Sequence, residues 1–248
     1  MTRTFERVLH DIRDVRGWLT PAQARLLWER ASALKEGDRI VEIGSFQGRS
    51  TIVLAGAAQE GVEVIAIDAH FGTDRGPQEI VGKHKEAQDD RRRFLENLER
   101  TGLRDRVTYR RQWSQEALEY VRGDVDLLYI DGAHRYVPAR DDIRRWGDRV
   151  VPGGVMLVHD AFSAIGVTLA LATSTFLSSE WRYVGRVGSM AEFRKEPLSR
   201  REVARNAIRQ ARELPWFLRN LAIKFLIAAG LRPLTRYLGF DPRQDWPY

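Results

Sequence analysis

Residues 39–50 have the sequence RIVEIGSFQGRS, and this stretch decides the fold. It opens with a short, mostly β-branched apolar run from Ile40 to Ile43, which predicts a buried strand. A loop bounded by Gly44 and Gly48 follows, and residues 50–55 continue with apolar side chains at helical spacing. A glycine loop between a strand and the N-terminus of a helix is where a nucleotide-like ligand lies against backbone amides.

The spacing of these glycines distinguishes two classes of cofactor. A dinucleotide-binding loop has the pattern G-x-G-x-x-G, in which the second glycine lets the backbone approach a pyrophosphate. Phe46 occupies that position, which argues against a pyrophosphate. Glu42 is placed to accept from the ammonium of an amino-acid moiety, and Asp68, after the next apolar run, from both ribose hydroxyls. S-adenosylmethionine (SAM) has a ribose and a charged amino acid but no phosphate.

At these residues the sequence resembles the class I methyltransferases, whose first motif is similar to VEIGSFQGRS at residues 41–50. The resemblance covers roughly residues 41–193. It implies SAM as cofactor and a Rossmann-like α/β fold with a doubly wound, mostly parallel sheet that ends in an antiparallel hairpin. The cofactor-binding residues expected on this basis are Glu42, Gly44, Ser45, Gly48, Ser50, Asp68, Trp113, Ser114 and Asp131. For Trp113 the alternative is a packing aromatic.

The rest of the chain alternates predicted strands and helices, as in a parallel sheet. Further strands are predicted at residues 62–67, 106–110, 126–131 and 155–158, and an antiparallel hairpin at 181–187 and 190–194. Helices are predicted at 20–37, 89–100 and 141–150. The first has Thr20 as N-cap, Pro21 at its first position and Gln23 placed to close a capping box.

Three parts of the chain are predicted from these patterns. Residues 1–38 form an N-terminal helical segment, residues 39–196 the SAM-binding domain, and residues 197–248 a basic helical extension. Within the domain, residues 70–88 are polar, rich in glycine and without a clear period. Long loops in compact domains are usually functional lids or disordered segments, and the position of this one at the carboxyl edge of the sheet favours a lid.

Two short stretches carry the predicted chemistry: YIDGAH at 129–134 and LVHD at 157–160. Each places ionisable residues just past the end of a strand, at the same edge of the sheet as the glycine loop. Asp131, His159 and Asp160 are the predicted ligands of a divalent cation, and His134 is the predicted general base. The alternatives are that such an aspartate caps a helix and that His159 is a packed, hydrogen-bonded core residue.

This pair of stretches resembles the metal-dependent O-methyltransferases that act on macrolide sugars such as macrocin. The resemblance implies that Asp131 and Asp160 hold the metal, Mg²⁺ or alternatively Mn²⁺, with Asp131 and His134 as catalytic residues. His159 departs from that family, which has a carboxylate at this position. Because imidazole suits Mg²⁺ less well than oxygen, either His159 is not a ligand or the metal is softer.

Charge and composition limit the partners. The net charge is +6, and the segment from residue 197 onward has ten Arg or Lys against four Asp or Glu, so the preceding residues are neutral overall. Nucleic acid is therefore not an expected partner. The chain has no cysteine and the N-terminus lacks the apolar core of a signal peptide, so a cytoplasmic location is predicted.

The extension is predicted to contain a basic helix at 201–212 and an apolar helix at 215–229. The second helix is too short and too charged to span a bilayer. A subunit interface in a homodimer is the first prediction for this extension. Peripheral membrane association and a cover over the substrate cleft are the alternatives.

The sequence thus predicts a SAM-dependent, divalent-metal-dependent O-methyltransferase. The predicted acceptor is a hydroxyl of a sugar, a glycoside or a polysaccharide precursor. A catechol-like phenol is the alternative acceptor within the same chemistry. An NAD-dependent oxidoreductase is the alternative from another enzyme class, and a catalytically silent cofactor-binding protein is the alternative outside enzymes.

Overall fold

The apolar runs form one seven-stranded sheet in the structure, a computed structural model that describes the backbone of residues 2–71 and 84–241. Side chains are described for residues 2–71 and 88–241. The strands are β1 (Arg39–Ile43), β2 (Glu63–Ile67), β3 (Val107–Arg110), β4 (Val125–Ile130), β5 (Val150–Val158), β6 (Trp181–Val187) and β7 (Met190–Lys195).

The strand order is β3-β2-β1-β4-β5-β7-β6. Strands β1 to β5 pair in parallel, β7 pairs antiparallel with β5, and β6 pairs antiparallel with β7. The chain leaves β1 toward β2 on one side, whereas β4 lies on the other side, so the strand order reverses there. In open α/β sheets ligands bind at such a switch point. This topology confirms the predicted fold.

Helices flank the sheet in the described ranges. They are α1 (Phe5–Asp11), α2 (Pro21–Ser32), α3 (Arg49–Ala57), α4 (His84–Arg100), α5 (Ser114–Ala117), α6 (Tyr136–Gly147), α7 (Ile165–Ser174), α8 (Arg200–Ala211) and α9 (Leu214–Ala228). Short 3-10 helices lie at Arg104–Arg106 and Arg232–Leu238.

The core has two layers because successive strand residues point to opposite faces of the sheet. On β4, Leu127 and Tyr129 face the layer that contains α1, α2 and α3. Leu128 and Ile130 face the layer that contains α6 and α7. Both faces are covered by helices, so the strands are apolar on both sides.

Several predicted boundaries differ from the structure. Helix α2 has the predicted capping box but ends at Ser32, before Gly37. Helix α6 begins at Tyr136 because Pro138 lies in its first turn, where proline is tolerated. Of the predicted lid at 70–88, residues 72–83 lie outside the described residues, and the part from His84 onward is helix α4.

Candidate active site

Gly44, at the end of β1, brings the glycine loop against the end of β4. Its φ is +86°, and a Cβ atom built there would lie 2.1 Å from the carbonyl oxygen of Asp131. The backbone amide of Asp131 in turn donates to the carbonyl of Ile43 at 2.8 Å. The loop after β1 and the residues after β4 are therefore in direct backbone contact, and only glycine fits at position 44.

Asp68 holds the glycine loop from β2. One of its carboxylate oxygens accepts from the backbone amides of Ser45 and Phe46 at 3.0 and 2.9 Å. Phe46 has a φ of +46°, which is uncommon for a bulky residue. Its side chain stacks on Trp18, with ring centroids 5.4 Å apart. The predicted ribose-binding carboxylate thus also fixes the conformation of the loop.

His70 is a second clamp on this loop that the sequence did not predict. Its ring Nε2 lies 2.7 Å from the carbonyl oxygen of Phe46, and its Nδ1 lies 2.7 Å from the hydroxyl of Tyr109. Because a carbonyl only accepts, Nε2 carries a proton, and in the neutral ring Nδ1 accepts from Tyr109. In the sequence, His70 is recognisable only as a histidine two residues after Asp68. That position does not indicate its contacts with Phe46 and Tyr109.

Ser45 gives the loop a free polar atom. Its hydroxyl is buried and has no hydrogen-bond partner among the described residues. A buried polar group without a partner is costly unless a ligand or water satisfies it. Gly48, with a φ of +88°, then begins α3. A left-handed backbone, a buried free hydroxyl and a helix N-terminus fit a ligand at this loop, and its identity as SAM stays a prediction.

Glu42 is fully buried beneath the loop. Its two carboxylate oxygens accept from the hydroxyls of Ser50 and Thr51, both at 2.5 Å. Burial raises the pKa of Glu42 to about 8, against the lowering effect of these hydrogen bonds. The charges of Asp131 and Asp68 raise the pKa further. Ser50, a predicted cofactor contact, therefore donates to Glu42, and both carboxylate oxygens of Glu42 are engaged.

The predicted adenine-binding residues lie at the start of α5. Trp113 contacts Phe71 edge to face, with centroids 5.6 Å apart. The Ser114 hydroxyl donates to a carboxylate oxygen of Asp142 on α6 at 2.5 Å. Burial raises the pKa of Asp142 to about 7. Sequence reasoning missed Asp142 because it lies within a charged stretch of a predicted helix.

The predicted catalytic residues form one cluster at the carboxyl ends of β4 and β5. His134 Nε2 lies 2.8 Å from Asp160 Oδ2, and His159 Nδ1 lies 3.2 Å from Asp131 Oδ1 and 3.6 Å from Asp160 Oδ2. Side-chain exposure is 31% for Asp131 and for His134, 10% for Asp160 and 2% for His159. Asp131 and His134 therefore line the cleft, and His159 lies behind the carboxylates.

The electrostatics of this cluster follow from burial and ion pairing. Burial opposes charge on His134, but its hydrogen bond to Asp160 and the nearby carboxylates raise its pKa. The pKa of His159 is raised well above its ordinary value by Asp131 and Asp160, against burial. Burial likewise opposes charge on Asp160, yet the two imidazoles hold its pKa well below the usual range. Asp160 and the two imidazoles therefore stabilise one another's charged forms.

The cluster offers a cation three converging ligand atoms. Ligand atoms of Asp131, His134 and Asp160 all lie within 4.8 Å of one another. Asp160 Oδ1 is buried and lacks a hydrogen-bond partner in the described part of the chain. Both findings fit a divalent cation. His159 was predicted as the third ligand, but the convergent set contains His134 in its place. A ligand role for His159 stays a prediction.

Three further residues shape the cluster and were missed by sequence reasoning. The buried Tyr129 hydroxyl donates to Asp131 Oδ2 at 3.0 Å. A Cβ atom at Gly166 in α7 would lie 2.1 Å from the carbonyl oxygen of His134, so glycine is needed there. Phe162 has a φ of +54°, as does Asp160 itself. Left-handed conformations at non-glycine residues are concentrated at functional sites.

Comparison with known proteins bears on the class. Residues 41–161 match a family model described as a methyltransferase domain. The uncharacterized protein y4gI of Sinorhizobium fredii is 26% identical over 222 residues, which are 84% of this chain and 20% of that protein. The chain thus spans about a fifth of the length of the curated relative it matches.

Several solved structures share the fold, and two of the three described here are O-methyltransferases. The O-methyltransferase TomG from Streptomyces achromogenes, in complex with SAM, has a TM-score of 0.55 at 16% identity, over 79% of this chain and 92% of that one. Cofactor-bound Rv0187 from MTB has a TM-score of 0.56 at 18% identity, over 78% and 89%. An O-methyltransferase from Bacillus cereus, in complex with S-adenosylhomocysteine (SAH), has a TM-score of 0.50 at 19% identity, over 79% and 90%.

The family match and the fold point to the same class of protein. Residues 41–161 match the methyltransferase-domain model, and the sheet has the Rossmann-like architecture of the SAM-bound structures, as the sequence predicted for the fold. The matched stretch begins in β1 and ends just after Asp160. It therefore includes both the glycine loop and the Asp131, His134 and Asp160 cluster.

Proposed function

We propose that the chain is a SAM-dependent, divalent-metal-dependent O-methyltransferase that acts on a hydroxyl group of a sugar, a glycoside or a polysaccharide precursor. The observation that carries this proposal is the direct contact between Gly44 and the backbone of Asp131. It sets a cofactor loop with a buried free hydroxyl beside a cluster of two carboxylates and an imidazole that open to the cleft.

SAM, when bound, supplies an electrophilic methyl group. The proposed binding residues are the amides and hydroxyl of the glycine loop, the carboxylate of Asp68 for the ribose, and Trp113 and Ser114 for the adenine. Glu42 and Ser50 support the loop from beneath through their mutual hydrogen bond. Asp131 adjoins the loop and is shared between the cofactor site and the catalytic cluster.

A divalent cation, when bound, supplies a Lewis acid that lowers the pKa of an acceptor hydroxyl. Asp131 and Asp160 would hold it, and His159, whose Nδ1 lies 3.2 Å from Asp131 Oδ1 and 3.6 Å from Asp160 Oδ2, is the proposed imidazole donor, so that His134 acts as the base. Because an imidazole adjoins both carboxylates, Mn²⁺ suits this site at least as well as Mg²⁺. Tyr129 orients Asp131 through its hydroxyl hydrogen bond.

His134 takes the acceptor proton in the proposed mechanism. Its side chain reaches the cleft, whereas His159 is enclosed. The raised pKa of His134 has its source in Asp160 and Asp131. A divalent cation held by these carboxylates would offset their negative charge. The pKa of His134 would then fall toward its ordinary value, at which the imidazole accepts a proton at neutral pH. His134 would take the hydroxyl proton while the acceptor oxygen bonds to the methyl carbon of SAM, whose carbon–sulfur bond would break to leave SAH.

The proposed acceptor class rests on the resemblance to the macrolide-sugar enzymes and on the polar character of residues 70–88. A catechol-like phenol is the competing acceptor. The aromatic residues described near the cleft include Phe71, Trp113 and Phe46, and Phe71 and Trp113 pack against each other. A broad phenol-stacking surface is thus not evident in the described part of the cleft.

The test is methyl transfer from labelled SAM to a panel of sugars, glycosides and phenols. The chelator-treated full chain is assayed with no metal, with Mg²⁺ and with Mn²⁺. We expect transfer to a sugar hydroxyl that requires added metal. Preferred transfer to a catechol would show that the acceptor is a phenol and not a sugar hydroxyl. Full activity in the presence of chelator would contradict the requirement for a divalent metal. Absence of SAH from every reaction would contradict the methyltransferase proposal.

A further inference from the structure

The exposed face of α9 is apolar. Its solvent-facing residues follow helical spacing and include two large side chains, Leu218 at 62% exposure and Phe225 at 71%. The complete exposed face consists of Leu214, Pro215, Leu218, Ala222, Phe225 and Ala228. Soluble helices normally turn such a stripe toward the core. A contiguous exposed apolar surface of this kind marks an interaction site.

Helix α9 cannot hide this face by rotating, because its polar residues are anchored inward. Asn220 is fully buried, and its amide approaches the carbonyl of Phe162 at 3.5 Å. The Lys224 ammonium donates to the carbonyl of Ser163 at 3.0 Å. Ile223 is fully buried between them. The orientation of α9 is therefore fixed by the loop that follows Asp160.

The apolar surface continues past the end of α9. In the 3-10 helix Arg232–Leu238, Leu234 and Tyr237 are exposed, at 42% and 73%. Arg236 lies over the Tyr237 ring at 4.8 Å from its centroid. Aromatic and basic side chains thus adjoin the apolar stripe, as they do in helices that lie at a bilayer surface.

Helix α8, directly before α9, turns arginines to the solvent. Arg201, Arg205 and Arg212 are exposed at helical spacing, and none of the three makes an ion pair with a described residue. The acidic residues of this region are neutralised elsewhere: Glu202 pairs with Arg182, and Glu213 with Arg186. The outer surface of α8 is therefore strongly positive.

We propose that α8, α9 and the 3-10 helix form a docking surface for an anionic lipid bilayer. The apolar stripe would enter the boundary between headgroups and acyl chains, and the arginines would pair with anionic headgroups. In a two-fold symmetric dimer through this surface, a second copy of the chain would bring the same arginines to the interface, where like charges repel. No helix within the described ranges meets the length and apolar content needed to cross a membrane.

The test is flotation of the full chain with vesicles, without any cofactor or acceptor. Vesicles of phosphatidylcholine alone are compared with vesicles that also contain phosphatidylglycerol. We expect the chain to float only with the anionic vesicles. The double variant Leu218→Asp/Phe225→Asp should bind at least tenfold more weakly. Arg201→Glu/Arg205→Glu should lose on the order of 25-fold, about fivefold per arginine, and added salt should weaken the wild type likewise.

Matched control variants lie outside the proposed surface. Leu177→Asp changes a residue that is 80% exposed, and Arg93→Glu changes an exposed arginine of α4. Both should bind vesicles as the wild type does, with unchanged circular dichroism. Wild-type protein that stays in the bottom fraction with both kinds of vesicle would overturn the proposal. A dimer by light scattering that Leu218→Asp/Phe225→Asp makes monomeric, without vesicle binding, would assign the surface to a second copy and also overturn it.

Discussion

Gly44 and Gly153 have nearly the same backbone φ, +86° and +85°, but their surroundings differ. A Cβ atom at Gly44 would overlap the carbonyl oxygen of Asp131, whereas one at Gly153 would meet nothing within 4 Å. Substituting alanine at Gly153 therefore measures the strain of a left-handed conformation alone. Substituting alanine at Gly44 adds the steric overlap between the glycine loop and the residues after β4.

We predict that Gly44→Ala lowers the free energy of unfolding by about 3 kcal/mol or more, because it adds an overlap to the conformational strain. Gly153→Ala should cost about 1 kcal/mol, from strain alone. Urea unfolding of both variants measures these values. The affinity for SAH should fall at least tenfold for Gly44→Ala and stay unchanged for Gly153→Ala. Equal effects of the two substitutions would contradict the contact.

His134 is predicted to act in the chemical step. His134→Ala should lower turnover on the order of 10² or more, since a general base is lost. Its affinity for SAH should remain, because the cofactor loop is untouched. His10→Ala is the matched control, since His10 is exposed on α1. Titration of His134→Ala with Mn²⁺ is a second measurement. Retained metal affinity would identify His134 as a base, and lost affinity would identify it as a ligand. Unchanged turnover of His134→Ala would contradict a role of His134 in the chemical step.

Asp142 is predicted to make stability depend on pH. Burial raises its pKa to about 7 in the folded chain, above its ordinary value of 3.8. The folded state therefore holds a proton that the unfolded state releases, so this residue's contribution to stability falls as pH rises from about 4 through 7. Asp142→Asn removes the titration. The urea midpoint should drop between pH 5 and pH 8 more in the wild type than in Asp142→Asn, and parallel drops would contradict this assignment.

Sequence reasoning reached Asp131, His134 and Asp160 because each lies just past the end of an apolar run, and the structure brings them together. It could not reach His70 or Asp142. Their partners, Tyr109 and Ser114, are 39 and 28 residues away along the chain, and only the folded sheet sets those distances. Sequence spacing also does not give the direction of a side chain that follows a strand. For this reason His159 was predicted as the third ligand, whereas His134 is the histidine that converges with Asp131 and Asp160.

At the scale of elements, α2 is tied to the C-terminal hairpin by one ion pair. Arg30 donates to both carboxylate oxygens of Glu192 on β7, at 2.8 and 2.9 Å. Glu192 is buried, with 6% of its side chain exposed. Because removal of one partner leaves a buried charge, Arg30→Met should destabilise the chain by about 2 kcal/mol, somewhat less than a fully buried pair would.

The double variant Arg30→Met/Glu192→Gln should recover part of that loss, since the buried charge is then removed as well. Thermal or urea unfolding of the two single variants and the double variant measures the coupling between the residues. Strictly additive losses would show that Arg30 and Glu192 do not stabilise each other.

The elements that the sequence predicted well carry strong local signals. Thr20, Pro21 and Gln23 predicted the start of α2, and the turn at Gly188 predicted the hairpin. Helix α7 was missed because its residues are almost entirely apolar and have no polar face. A helix that packs on α6 while it exposes Ile165 and Leu169 has no amphipathic period to detect.

At the scale of the molecule, the sheet places two proposed sites and the support of α9 along one edge. The glycine loop follows β1, the proposed catalytic cluster follows β4 and β5, and the loop after Asp160 contacts α9. The proposed bilayer surface and the proposed active site therefore share that loop. Residues 1–196 are electrically neutral overall, whereas the extension carries the surplus charge. This division would separate the proposed chemistry of the domain from the proposed docking of the extension.

The most direct test of the central claim is calorimetric titration of the full chain with SAH and, separately, with NADH, each with and without Mn²⁺. We predict saturable binding of SAH at one site and no binding of NADH, because Phe46 occupies the position at which a dinucleotide loop requires glycine. Binding of NADH in place of SAH would contradict the cofactor assignment. The roles given to Asp131, His134 and Asp160 would then have to be abandoned with it.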